Sequence, residues 1–151
     1  MNLHLVLYTN PVIHQPCLPI AQVSDELREL VSDMFVTMME ARGVGLAAPQ
    51  VGKSLQLAVA LLDSGQRALT LINPEIVSKG SAKEKAAEGC LSAPGSSVVV
   101  KRLLDIEVRY LDLDQVEHTE RFTGWNARII QHELDHLRGI CIVDKLNPEV
   151  K

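Results

Sequence analysis

Between Ser24 and Gly43 the apolar positions Leu27, Leu30, Val31, Met34, Phe35 and Met38 recur three and four residues apart, the rhythm of a helix with one buried face. Ser24 caps its start, Asp25 and Glu26 occupy the first turn where negative charge is favoured, and Gly43 ends it. A second helical pattern runs from about Gly124 to Arg138, with Thr123 to cap it, Gly139 just past its end and no proline between. At about 100° per residue its positions sort into three sectors. Ala127, Ile130, Leu134 and Leu137 form an apolar stripe, and Arg128, Gln131, Asp135 and Arg138 form a polar one. Trp125, Ile129, His132 and His136 share the third, which a helix burying a single face would not need.

The rest reads as strands. Leu3 to Tyr8 is apolar enough for a short one, followed by an extended lead-in set by Pro11, Pro16 and Pro19. Leu55 to Leu62 is nearly continuous aliphatic, Asp63 to Gly65 turns it, and Leu69 to Ile72 returns. Asn73 and Pro74 interrupt that strand before Glu75 to Val77 resumes it, and the polar run Ser78 to Lys85 reads as an exposed loop. Val98 to Val100 and the alternating Ile106, Val108 and Tyr110 are strands. Asp112 to Gln115 turns the chain, and Val116 to Phe122 runs back antiparallel into the second helix. Strands in runs between two helices imply an α+β fold, mainly antiparallel, packed around that central helix with the N-terminal helix as a second cover.

Composition narrows the class. With 151 residues the chain fits one domain, 1–151, and its hydrophobic residues (46%) against few aromatics (3%) imply an aliphatic core. A net charge of −4 without a basic run argues against nucleic acid or an anionic membrane as partner. No apolar run reaches the ~18 residues of a membrane span, and the start lacks a basic flank and a cleavage-like site, so the expected location is cytoplasmic. Three cysteines, an odd number, fit a reducing compartment better than a disulfide framework.

Chemistry concentrates in Gln131 to His136, an HExxH pattern. His132 and His136, one turn apart, can aim both imidazoles at one transition metal, and Glu133 lies beside that point, placed to take a proton without being a ligand. The pair alone does not establish a metal site; a third ligand is required. One peptidase layout places a histidine where this chain has Ile142, and another needs a glutamate on a later helix, for which Glu149 is poorly placed. The third ligand must therefore come from upstream. Cys90, after Gly89 and before Ala93, Pro94 and Gly95, is either presented on a bend or buried as an inert thiol. Cys17 and Cys141 read as packing, and His4, His14 and His118 as bystanders. Gly43 and Gly45 permit close backbone approach by a ligand or by another element, and Gln50 could donate its amide into a site.

Three stretches, GVGLAAPQ at 43–50, EGCLS at 88–92 and QHELDH at 131–136, together resemble the three motifs of the peptide deformylase family. The resemblance covers nearly the whole chain and includes the INPEI turn and the RGI after the second helix. It implies a metal-dependent hydrolase that removes the N-terminal formyl group from formylmethionine of newly made polypeptides, releasing formate. Cys90, His132 and His136 would be the ligands and Glu133 the general base and acid, with hydroxide made available at neutral pH by the metal. The metal would be Fe²⁺ first, with Zn²⁺, Ni²⁺ or Co²⁺ accepted. Gln50 and the backbone N–H of Leu91 would hold the oxyanion. The peptide would lie along Gly45, and Val44, Trp125 and Ile129 are candidates for the methionine pocket. Glu88 and Asp135 would orient the histidines, with Arg102 pairing one of them. Where many members carry a basic residue this chain has Ser96 and Ser97, and it stops at Lys151 without their further C-terminal helix. Expected partners are thus N-formylmethionyl peptides and nascent chains, without direct ribosome docking. An endopeptidase and a silent peptide-binding module are the competing readings. The first lacks its downstream ligand, and the second would need neither Glu133 nor Gln50.

Overall fold

The computed structural model describes residues 2–146. The N-terminal helix is α1, Asp25–Glu40, with the Ser24 hydroxyl accepting from the Leu27 N–H. Its end comes earlier than Gly43: Arg42, at φ 60°, takes the left-handed position, and the Gly43 N–H returns to the Met38 carbonyl. Leu27, Val31, Met34 and Met38 are buried, as the spacing predicts.

Seven strands follow: β1 (Gly45–Ala47), β2 (Leu57–Leu62), β3 (Arg67–Lys79), β4 (Lys83–Cys90), β5 (Ala93–Leu103), β6 (Asp105–Leu111) and β7 (Glu117–Thr123). They form a five-stranded sheet in the order β1-β2-β3-β6-β7 and a separate β4-β5 hairpin, every pairing antiparallel. β1 is therefore an edge strand. The second helix, α2 (Gly124–Leu137), packs Ala127, Ile129, Ile130 and Leu134 against Leu71, Val108 and Phe122 of the sheet. Each fully buried Ile or Leu contributes roughly 1.5–3 kcal/mol there. The α+β architecture around a central HExxH helix agrees with the hydrophobic pattern.

Three expectations need correction. Leu3 to Tyr8 forms no strand; it bonds singly to three different elements, Leu3 N–H to the Thr37 hydroxyl, Val6 N–H to the Gln50 carbonyl and Tyr8 N–H to the Ser92 carbonyl. An apolar segment stitched across several elements has no partner strand to run beside. The stretch 78–85 is exposed as expected, but its loop is only residues 80–82, because β3 runs to Lys79 and β4 starts at Lys83. Polar composition reported its solvent face, not its backbone. Arg128 and Gln131, assigned to a polar sector of α2, are buried. Elsewhere the break at Asn73–Pro74 is a bulge in β3, where Asn73 at φ 51° exchanges two hydrogen bonds with the Ile20 backbone.

Candidate metal centre

α2 carries His132, Glu133 and His136 across from the end of β4, where Cys90 pairs with Ala93 after a shift in register. That irregularity lets the sulfur face α2 rather than continue the ladder. Cys90 Sγ lies 3.4 Å from His136 Nε2. The ligand atoms of His132, Glu133 and His136 all fall within 4.8 Å of one another, as do those of Cys90, His136 and Cys141. His136 belongs to both groups, and Cys90 and His132 are joined through it.

Glu88 fixes the orientation of His132. Its Oε1 is 2.9 Å from His132 Nδ1, and it also accepts from Arg102 Nε and Nη2 at 3.0 and 2.9 Å and from Arg128 Nη1 at 2.6 Å. Burial opposes ionisation of Glu88, but the hydrogen bonds from His132 and Arg102 outweigh it and hold the carboxyl far below its ordinary range. An ionised carboxylate only accepts, so His132 Nδ1 carries the proton and Nε2 is left as the lone-pair nitrogen. Asp135 does not orient a histidine: it pairs with Arg102 and Lys145. Arg102 thus bridges both acids, whereas the sequence assigned it one.

The remaining polar atoms point to a cation. Glu133 Oε1, close to both histidines, is buried without a hydrogen-bond partner, an arrangement that native interiors rarely leave uncompensated. Burial lowers the His136 pKa well below its usual value, so its imidazole is neutral, the ligand form. Burial opposes protonation of His132 too, but Glu133 and Glu88 outweigh it and raise that pKa. Burial pushes Glu133 up to about 7. Two imidazoles and a thiol beside a carboxylate suit a borderline transition metal such as Zn²⁺ or Fe²⁺. The donor set fits.

This floor opens into a cleft of about 610 Å³. Gln50, Cys90, Leu91, His132 and Glu133 line it, together with Val44, Gly45, Trp125 and Ile129. Trp125 and Val44 are exposed on the rim, Ile129 is buried, and Arg128 stacks its guanidinium 5.9 Å from the Trp125 ring centroid. The Gln50 side-chain Oε1 accepts from the Ala47 N–H at 2.9 Å, which turns the side-chain amide nitrogen toward Ser92 Oγ (3.1 Å) and Cys90 Sγ (3.6 Å).

Cys17 is buried packing, as expected, and His118 is half-exposed, remote from the metal centre and paired with Asp112. Glu149 lies outside the described residues. Sequence reasoning missed Ser92, Arg128 and Cys141. Ser92 sat inside a motif already singled out, and Arg128, one turn before His132, could have been suspected of reaching the same carboxylate. Cys141 carried no signal, since only the turn after α2 brings it beneath Cys90.

A family model for polypeptide deformylase matches residues 2–151. The chain is 41% identical to the peptide deformylase of Chlorobium phaeovibrioides, over 97% of this chain and 79% of that one. It is 42% identical to that of Aquifex aeolicus, over 94% and 86%. Among solved structures, the peptide deformylase of Thermotoga maritima superposes with a TM-score of 0.92 at 36% identity, covering 95% of this chain and 97% of that one. A Met-Ala-Ser-bound peptide deformylase from Acinetobacter baumannii gives 0.90 at 32%, covering 95% and 98%.

Proposed function

The chain belongs to the polypeptide deformylase family, and from that premise we propose that it removes the formyl group from N-formylmethionyl peptides, releasing formate, through the residues gathered at the floor of the cleft. Cys90, His132 and His136 would hold one divalent metal, Fe²⁺ in the cell, with Zn²⁺, Ni²⁺ or Co²⁺ as substitutes. When bound, that ion supplies a Lewis acid which brings the pKa of water from 15.7 toward roughly 7.

The protein groups do the rest. Glu133, buried beside both histidines, takes a proton from water and returns it to the departing amine. Gln50, its amide nitrogen turned into the cleft, and the Leu91 N–H steady the oxyanion. β1 is a free sheet edge along the cleft, so the peptide main chain adds to it at Gly45. Val44, Trp125 and Ile129 line the side for the methionine chain. The related Acinetobacter baumannii protein was solved with Met-Ala-Ser bound, which supports a peptide in this groove. Nascent chains in the cytoplasm are the expected substrates, acted on by a single domain, 1–151. Among the described residues no helix is long and apolar enough to cross a membrane.

One observation carries the reading: Glu133 is buried with an unpartnered oxygen at the meeting point of the two histidines and the floor of a peptide-sized cleft. Anaerobic incubation with Fe²⁺ or Ni²⁺ and a formylmethionyl tripeptide should yield formate and the intact deformylated tripeptide. Chelation should abolish release, and the same metal should restore it. Cleavage of an internal bond would make the protein an endopeptidase instead.

Two substitutions follow. Gln50→Leu keeps the volume but removes the donor, so kcat should fall on the order of 10²-fold with KM little changed; unchanged kcat would remove Gln50 from the oxyanion site. A methyl group at Gly45 would overlap the Glu133 carboxylate, which lies directly against that position. Gly45→Ala should therefore displace the base and block the peptide edge, cutting kcat/KM by at least about 10-fold while the metal-binding affinity holds. An active Gly45→Ala enzyme would show that Glu133 can work from elsewhere.

A further inference from the structure

Cys141 is the buried nucleophilic group that the proposed mechanism leaves unused. It follows the Gly139 turn, is 1% exposed, and packs with Ile13, Val98 and Val100 behind the site. Its sulfur lies within 4.8 Å of both Cys90 Sγ and a ring nitrogen of His136. Cys90 lines the cleft in front. An oxidant entering the cleft thus meets one sulfur, and a second waits directly behind it. Cys17, the third thiol, belongs to neither group and packs against Ala47, Ala58 and Leu137.

We propose that Cys90 and Cys141 form a reversible disulfide when hydrogen peroxide enters the cleft, which makes Cys90 a redox-modification site with Cys141 as its resolving partner. The Cys90 sulfur attacks one peroxide oxygen; the O–O bond breaks, giving a sulfenic acid on Cys90 and one water. The Cys141 sulfur then attacks the Cys90 sulfur, the S–O bond breaks, and the hydroxyl leaves with the Cys141 proton as a second water. Two thiols are oxidised by two electrons and the peroxide is reduced to two waters. Closing the bond needs the sulfurs to approach about 2.05 Å. Neither cysteine sits inside an uninterrupted element: Cys90 ends β4 at a break in register, and Cys141 lies between α2 and the 3-10 turn Ile142–Leu146. The bond consumes the sulfur that, on the reading of Cys90 as a ligand, holds the metal. Oxidation therefore releases the ion and spares Cys90 from irreversible sulfonic acid.

The test treats metal-loaded protein with hydrogen peroxide. Peptide mapping and a chromophoric chelator are read together. The expected result is a Cys90–Cys141 peptide pair lighter by two hydrogens, with metal released in step and both effects reversed by dithiothreitol plus metal. Cys17→Ser should behave as wild type, whereas Cys141→Ser should go on to sulfinic and sulfonic acid at Cys90. Wild-type protein that accumulates those acids, or keeps both thiols free, without the linked pair overturns the proposal and needs no variant to show it. A linked pair that forms while the metal stays bound supports the disulfide and instead removes Cys90 from the ligand set.

Discussion

Glu133→Gln is expected to lower formate release on the order of 10²–10⁴-fold while the metal and the fold are retained, the range that positioned proton transfer commonly supplies. The substitution is isosteric and keeps a polar group facing Gly45, so it isolates the proton from the packing. Linkage gives an independent readout. Burial raises the Glu133 carboxyl from its ordinary 4.5 to about 7. Holding it ionised therefore works against folding, and the stability present below pH 4.5 is lost as pH rises through 7. Metal-free Glu133→Gln should accordingly melt higher than metal-free wild type at pH 8 and show no such gain at pH 4. A variant that loses activity but gains stability has given up a strained functional group. Equal formate release from the two proteins would end the case for this carboxylate as base.

Glu88→Ala should be the most destabilising single change in the site. The side chain is buried, and its removal leaves Arg102, Arg128 and His132 facing one another without the carboxylate that compensates them. Breaking a buried ionic group from one side typically costs about 3–5 kcal/mol, or roughly 6–20 °C in Tm for a chain of this size. Freed of its acceptor, His132 can rotate, and metal affinity should drop by about 10–100-fold. Because the Glu88 carboxyl is held low, its contribution is fully present above pH 4.5 and disappears as pH falls through its folded value, so the gap between wild type and variant should close in acid. A Tm within a degree of wild type at pH 7 would mean that the two arginines find other partners.

Much of this was legible along the chain because its signals are local. Helical spacing located α1 and α2, the caps at Ser24 and Gly139 bounded them, and one turn of helix sufficed to bring His132 beside His136. Alternation located β6, and the turn at Asp112 to Gln115 pointed to β7 running back beside it. The resemblance to a known family drew Cys90, Gln50 and Leu91 toward the same helix, and the fold does gather them around one cleft. What escaped were pairings between distant segments. Arg128 fell in a polar sector of α2 with no sign of burial, because its partners, the Glu88 carboxylate and the Glu84 and Val100 carbonyls, lie 28 to 44 residues away. Polar residues 78–85 hid the ends of two strands, β3 and β4, since pairing depends on a neighbour and not on composition.

Periodicity and residue type sufficed for the helices, the antiparallel strands and the HExxH face, because each depends on contacts within a few residues. Whether Cys90 would be presented or lost, which acid would orient His132, and how near Cys141 would come were settled by the β4 end, the Arg102–Glu88–Arg128 cluster and the turn after α2. Those features join residues dozens of positions apart, and a long-range distance exists only once the chain has closed on itself.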